Sequence, residues 1–231
     1  MFIYQASVDL IGNVKETVPL QIDSCVAAGY TGRNQDMVQA HIDELKKIGV
    51  PAPYGIPAMY WISPARLTSD RELYVVGEQT SPEVEFFLAE DDKGSFYITV
   101  ASDHTDRELE VISIGKAKQI CDKILGDSFW KLTDIADHWD EILISSKVQQ
   151  NDQWTLYQSG TLSQILQYKD LLNLIKKDSP AGQYPSLLSG TIPVIGGDAI
   201  FTPACEITMT DPVLNRSISK RYDIIPLPDR S

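Results

Sequence analysis

The residues best suited to chemistry are acidic and crowded together. The stretch SPEVEFFLAEDDKGSFYITVASDHTDRELE (81–110) places Glu83 and Glu85 one residue apart, and Asp103 at the end of the next apolar run. On a strand, residues i and i+2 share a face, so Glu83 and Glu85 project side by side while Val84 and Phe86 point the other way. Carboxylates so placed repel one another unless water screens them or a cation lies between them. Two readings follow. One is a solvated strand face. The other adds Asp103 from the neighbouring strand and makes three oxygen donors for a hard cation such as Mg²⁺, Mn²⁺ or Ca²⁺.

A second group lies in TGRNQDMVQAHIDELKKIGVPAP (31–53), which reads as a helix. Asn34 is its N-cap, Asp36 sits in the first turn, Lys46 and Lys47 in the last, and Gly49 and Pro51 stop it. Val38, Ile42 and Leu45 form the apolar stripe, with Met37 and Ile48 at its border. His41 falls inside that stripe and Glu44 beside it. A carboxylate three residues on can hold an imidazole in one tautomer and raise its basicity, as a general base acting on water requires. The alternatives are a packed core histidine or a surface pair worth a few tenths of a kcal/mol. His104, beside Asp103, either supports it or is a loop residue, and His138 reads as structural.

The elements that must carry these groups are mostly strands. Alternating runs at FIYQASVDLIG and TVPLQIDSCVAAG suggest a hairpin or small lobe over residues 1–30, followed by the main body over 31–231. MYWIS, ELYVVG, EVEFFLA and SFYITVA read as strands, the last two joined by the turn EDDKG. LISSKV and WTLYQSG read as a hairpin around QQND, and the alternating segments after residue 197 as paired strands. GKAKQICDKILG reads as a helix with Ala117, Ile120, Cys121, Ile124 and Leu125 inward. Lys118 sits at its border, where a snorkelling stem is the plain account, and Lys116 and Lys123 face out. LTDIADHWDEI reads as a helix capped by Thr133 that packs through Ile135, Trp139 and Ile142, and Ser163 caps a further helix to about Lys177. Strands outnumber helices and no βαβ rhythm appears, so the expected class is α+β, mainly β, with peripheral helices.

Composition narrows the function classes. The chain has 231 residues and a net charge of −12. No basic stripe is available for nucleic acid, and the charge disfavours an anionic membrane surface. Cys25, Cys121 and Cys205 are far apart, with no CxxC pair for zinc or a disulfide framework. No basic leader and no run of membrane-spanning length appears, so the expected location is cytoplasmic. No GxSxG elbow, Walker loop or dinucleotide fingerprint is present.

Four segments in order resemble the fumarylacetoacetate hydrolase superfamily. GRNQDMVQAHIDE is similar to its GRNY..H..E segment, SPEVEFFLA to its metal-binding E-x-E strand, VASDHTDRELE to its third metal carboxylate segment, and LLSGTIPVIGGDAIF to its TGTPAGVG…GD stretch. A closer resemblance is to one branch of that superfamily, a domain-of-unknown-function family sharing SDHTDRELE. The resemblance implies a β-roll and usually a homodimer. It implies a metal on Glu83, Glu85 and Asp103, and His41 and Glu44 as a catalytic dyad. Lys118 would stand near substrate as a third catalytic residue, and Thr191, Arg33 and Arg107 would grip substrate. The implied activity is metal-dependent hydrolysis of a carbon–carbon bond in a small 2-oxo or 1,3-dicarbonyl carboxylic acid. Decarboxylation, hydration or tautomerisation on the same site is the alternative. A non-catalytic metal- or metabolite-binding dimer is the alternative from another class.

Overall fold

The computed structural model describes residues 2–12, 14–47, 49, 52–178 and 182–230, with the backbone alone at His41 and Leu45. Elements are numbered in chain order. The larger sheet has ten strands, and its path runs β4 (Ala58–Ile62), β3 (Ser24–Gly29), β15 (Pro185–Leu188), β8 (Val84–Asp91), β9 (Phe96–Ser102), β11 (Lys123–Leu125), β5 (Leu67–Thr68). The hairpin of β1 (Phe2–Leu10) and β2 (Val14–Ile22) joins this sheet through β8, and β12 (Trp130–Lys131) pairs with β9. The second sheet runs β14 (Gln153–Thr161), β13 (Leu143–Gln150), β16 (Ala204–Asp211), β17 (Arg216–Leu227), β6 (Glu72–Val76). A two-stranded pair, β7 (Thr80–Ser81) with β10 (Thr105–Asp106), lies apart from both. Five α-helices are described: α1 (Gln35–Lys47), α2 (Arg107–Glu110), α3 (Ile114–Ile120), α4 (Leu132–Ile135) and α5 (Tyr168–Ile175). The class is mainly β with peripheral helices, as the strand-rich pattern predicts.

The central strands are buried on both faces, which is why they read as apolar runs and not as clean alternation. On one face Val84, Phe86, Leu88, Ile98 and Val100 pack against Ile144, Ile207, Met209, Ile218 and Tyr222 of the second sheet. On the other, Phe87, Ala89, Ala101, Leu125 and Leu188 pack under the β1–β2 hairpin, against Ala6, Val8 and Leu20. This second face turns from apolar to charged further along the same strands, and that change of chemistry sets the site.

The hairpins follow the local signals. At the β8–β9 turn, the Asp91 carboxylate accepts from Lys93 N at 2.8 Å and Ser95 N at 2.9 Å, and Gly94 takes φ 82°. At the β13–β14 turn, Asn151 and Asp152 take φ 49° and 62°, conformations that Asn and Asp tolerate. Asn34 caps α1, its side-chain oxygen accepting from Met37 N at 3.2 Å, while Val38 and Ile42 are buried as expected. Met37 is 63 % exposed, so it stands outside the stripe it was expected to border; Ile48 lies outside the described residues.

Three helix expectations change. The segment 115–125 is helical only as far as Ile120, which is half exposed. Residues 123–125 form a strand, hydrogen-bonded to β9 and parallel to β5, and this turns Lys123 fully inward. The segment LTDIADHWDEI is the single turn α4 followed by a 3-10 stretch, Ala136–Glu141, with Lys131 and not Thr133 at its start; Ile135, Trp139 and Ile142 are nonetheless buried as predicted. Ser163 lies inside a short 3-10 turn, where the Gln164 side chain accepts from Thr161 N at 3.2 Å, and α5 begins five residues later at Tyr168.

Candidate metal centre

The β8–β9 ladder brings the acids together. Its register pairs Val84 with Ser102 and Glu85 with Ala101, and Asp103 N donates to Glu83 O at 3.0 Å, so the pairing continues past both strand ends. Glu83 therefore opposes Asp103, and Glu85 lies two residues along on the same face. One carboxylate oxygen from each residue falls within 4.8 Å of the other two. Glu85 and Asp103 are fully buried and the Glu83 side chain is 16 % exposed. The solvated strand face is excluded.

Three cations lie against two of these acids. Lys118 Nζ, from α3, lies 2.9 Å from Glu83 Oε2 and 2.5 Å from Asp103 Oδ2. Arg107 Nη2 reaches Glu83 Oε1 at 3.0 Å, and the same guanidinium donates to Glu110 at 2.8 Å and to Ser81 Oγ at 2.7 Å. Lys123 Nζ pairs with Asp103 Oδ1 at 2.7 Å and donates to His104 O at 2.6 Å. Burial alone would push the Glu83 carboxyl up, but Lys118 and Arg107 outweigh it and hold the group well below the usual carboxylate range. Burial acts against the Lys118 ammonium as well, and Asp103, Glu83 and Glu85 together keep it charged, with its pKa well above that of a free lysine.

Glu85 is different. Its Oε2 accepts from Gly190 N at 3.0 Å, while Oε1 is buried and, among the described residues, finds no hydrogen-bond partner. Burial first, and then the nearby Asp103 charge, push this carboxyl well above the usual range. A buried oxygen without a partner costs about 1–3 kcal/mol. An all-carboxylate, oxygen-only donor set with one such oxygen fits a hard dication. Glu83, Glu85 and Asp103 would hold it.

The surrounding loops fix β8 where it carries these acids. Gly190 has φ 83°, and a Cβ there would come 2.1 Å from Thr31 Oγ1, so only glycine lets its N–H reach Glu85. Thr191 Oγ1 donates to Val84 O at 2.8 Å and accepts from Gln158 Nε2 at 2.8 Å, while Gln158 Oε1 accepts from Val84 N at 3.0 Å. His104 is fully buried, with Nε2 2.9 Å from Thr80 Oγ1 and Nδ1 3.2 Å from Tyr222 OH. Burial, with Lys123 and Arg107 adding to it, pushes its pKa well below the usual histidine value, so it is a neutral brace behind Asp103.

Of the residues singled out in the sequence, Glu83, Glu85, Asp103, Lys118 and Arg107 meet at one place, and Thr191 adjoins it through Gly190 and Val84. Lys118 is 5 % exposed and its ammonium is held by carboxylates, so it does not snorkel to solvent. Arg33 is occupied elsewhere, with Asp140 at 2.8 Å and the carbonyls of Ile165 and Leu162. Glu44 lies on α1 and is exposed, not turned inward as the helical wheel predicts. The side chain of His41 lies outside the described residues. Lys123, read as outward-facing, is a central member of the group; its signal was the β-prone KIL that follows the helical run. Thr31, Tyr60 and Gly190 also belong to the neighbourhood, and no periodicity marks them.

Solved structures share the fold, and several are described as a dehydratase. A 2-keto-3-deoxy-D-arabinonate dehydratase in its apo form superposes with a TM-score of 0.67 at 16 % identity, covering 96 % of this chain and 79 % of that one. The same enzyme complexed with magnesium and 2,5-dioxopentanoate gives 0.65 over the same shares at 16 % identity. Cg1458 with inhibitor gives 0.63 at 16 % identity, covering 92 % of this chain and 81 % of that one. At such identities the likeness is one of fold. No curated protein matches the sequence significantly. No described helix is long and apolar enough to cross a membrane. A family profile described as "Protein of unknown function (DUF2848)" matches residues 28–222, most of the chain, and the chain belongs to that family.

Proposed function

We propose that this chain is a divalent-metal-dependent enzyme acting on a small 2-oxo or 1,3-dicarbonyl carboxylic acid, built on the β-roll of the fumarylacetoacetate hydrolase superfamily. The observation that carries the reading is the meeting of Glu83, Glu85 and Asp103, one buried oxygen unpartnered among the described residues, beside the buried ammonium of Lys118. The fold neighbour complexed with magnesium and a dioxo acid supports it. A bound Mg²⁺ or Mn²⁺ would supply Lewis-acid polarisation of the oxo group. Lys118 is placed to offset negative charge that develops on a substrate oxygen. Lys118 and Arg107 keep Glu83 ionised as a donor, and Lys123 is ion-paired with one oxygen of Asp103.

The finer reading is hydrolysis of a carbon–carbon bond. In it, His41, oriented by Glu44, takes a proton from water that attacks a carbonyl carbon, and Thr191 helps to seat the substrate. Because Glu44 is exposed on α1, this reading requires α1 to bring the dyad to the acids once substrate is bound. A second reading on the same site is loss of water from a hydroxylated oxo acid, favoured by Lys118, a protonated donor already at the acids, and by the dehydratase likeness. Treating 1–30 as an added lobe and 31–231 as the catalytic unit belongs to this proposal, with β3 and the β1–β2 hairpin lying within the ten-stranded sheet. A cytoplasmic homodimer is part of the same proposal.

The test is steady-state turnover of acylpyruvates, oxaloacetate and a hydroxylated 2-oxo acid with added Mg²⁺, for wild type and His41→Ala. Cleavage of a carbon–carbon bond that falls at least about a hundredfold in the variant supports hydrolysis. Water loss that survives the substitution favours the second reading. No turnover of any oxo acid by wild type leaves the non-catalytic binding dimer.

A further inference from the structure

Five neighbouring strands line the candidate centre, and the acids occupy only part of the row. In sheet order, β4 carries Tyr60, the exit of β3 carries Thr31, the exit of β15 carries Gly190, β8 carries Glu85, and the exit of β9 carries Asp103. Four buried polar atoms in this row have no hydrogen-bond partner among the described residues. Asp103 Oδ1 is ion-paired with Lys123 at 2.7 Å, which leaves Glu85 Oε1, Thr31 Oγ1 and Tyr60 OH. Globular proteins leave few such atoms unpaired. Three of them on neighbouring strands of one sheet, on the face that turns from apolar to polar, mark where a ligand supplies the missing bonds.

The positions of the two hydroxyls are fixed by glycines. Thr31 is 2 % exposed and its Oγ1 lies against Gly190, whose N–H is bonded to Glu85. The Tyr60 ring lies over Gly29, where a Cβ would come 3.0 Å from Cε2, and beside Gly115, three residues before Lys118 on α3. Burial raises the Tyr60 phenol well above its usual pKa, with Tyr30 adding to the rise and Lys118 opposing it. The phenol is therefore a neutral donor.

Building on the oxo-acid reading above, we propose that Tyr60 and Thr31 determine which oxo acid is taken. Their hydroxyls bond oxygens carried on the substrate chain beyond the oxo group, so the site selects a hydroxylated 2-oxo acid over one with a plain alkyl chain. An alkyl chain leaves both hydroxyls buried and unpaired, which is how polar pockets reject such analogues.

Inert chelators test this without turnover. N-(2,3-dihydroxypropyl)oxamate and its isostere N-(2-methylbutyl)oxamate share one chelating end and differ only in exchanging two hydroxyls for methyl groups. With Mg²⁺ present, isothermal titration of wild type gives at least about tenfold tighter binding of the diol. Tyr60→Phe and Thr31→Val, which remove one hydroxyl each, lower that preference about threefold or more, and the double variant abolishes it. Oxalate, which ends at the chelating group, binds all four proteins alike. A wild-type preference below twofold, or one that neither variant changes, overturns the inference while oxalate still binds. Failure of wild type to bind oxalate with Mg²⁺ overturns the oxo-acid reading itself, and this inference with it.

Discussion

Asp103 is held by two lysines, and the two are not equivalent. Lys118 reaches it from a helix and shares itself with Glu83, whereas Lys123 comes from a strand, is fully buried, and also satisfies the His104 carbonyl. Removing one partner of a buried pair leaves an uncompensated charge, at a cost of about 3–5 kcal/mol. Lys123→Met therefore lowers the unfolding free energy by about that range in urea titrations, while Lys116→Met, at an exposed position on α3, moves it by less than about 0.5 kcal/mol. Equal midpoints for the two variants would remove Lys123 from the centre. The acids were legible from the sequence because i, i+2 spacing on a strand fixes a shared face. Lys123 was not, because its partner lies twenty residues earlier and no local period points to it.

The elements that the sequence reveals are those decided locally. The β8–β9 and β13–β14 hairpins follow from alternating runs with Asp, Asn and Gly between them, and α1 follows from its cap and stripe. The boundary between α3 and β11 is decided elsewhere. Ala117, Cys121 and Ile124 are spaced for a helix, but β9 offers a ladder to residues 124 and 125, and tertiary pairing overrides the period. The β16–β17 turn shows the local kind in energetic terms. Asp211 is fully buried, and its Oδ1 accepts from Val213 N at 3.1 Å, Leu214 N at 3.0 Å and His138 Nε2 at 3.0 Å, with Arg216 Nε 3.3 Å from Oδ2. Burial raises its pKa, but the Leu214 N–H, His138 and Arg216 outweigh burial and the net shift is downward. A carboxyl depressed in the folded state stabilises fully above the unfolded value of about 3.9 and loses that contribution as pH falls through the folded one. Asp211→Asn costs about 1–3 kcal/mol at pH 7, and the gap to wild type narrows below about pH 4. A gap that stays constant with pH would assign the cost to shape and not to charge.

At the scale of the molecule, the first sheet is a support with two kinds of surface on one face. Under the β1–β2 hairpin that face is apolar, and beyond it lie three acids, two lysines and the unpaired hydroxyls. Bringing this much charge onto a buried face conflicts with the hydrophobic drive that folds the rest, and Glu85 bears the conflict, its carboxyl pushed well above the usual range. A dication that binds the folded chain and not the unfolded one stabilises by mass action, by about 2.7 kcal/mol at a hundred times its Kd. For a chain of this size that corresponds to a rise in Tm of roughly 5–10 °C. Glu85→Gln is the sharper variant to compare, because among the described residues Glu85 hydrogen-bonds only a backbone N–H, whereas Glu83→Gln also strips partners from Lys118 and Arg107. Calorimetry with Mg²⁺ or Mn²⁺ against EDTA then gives the rise for wild type. It gives little or none for Glu85→Gln, whose Tm in EDTA equals or exceeds that of wild type because a buried acid has been made neutral. Should both proteins rise alike, the ion binds somewhere other than these three carboxylates.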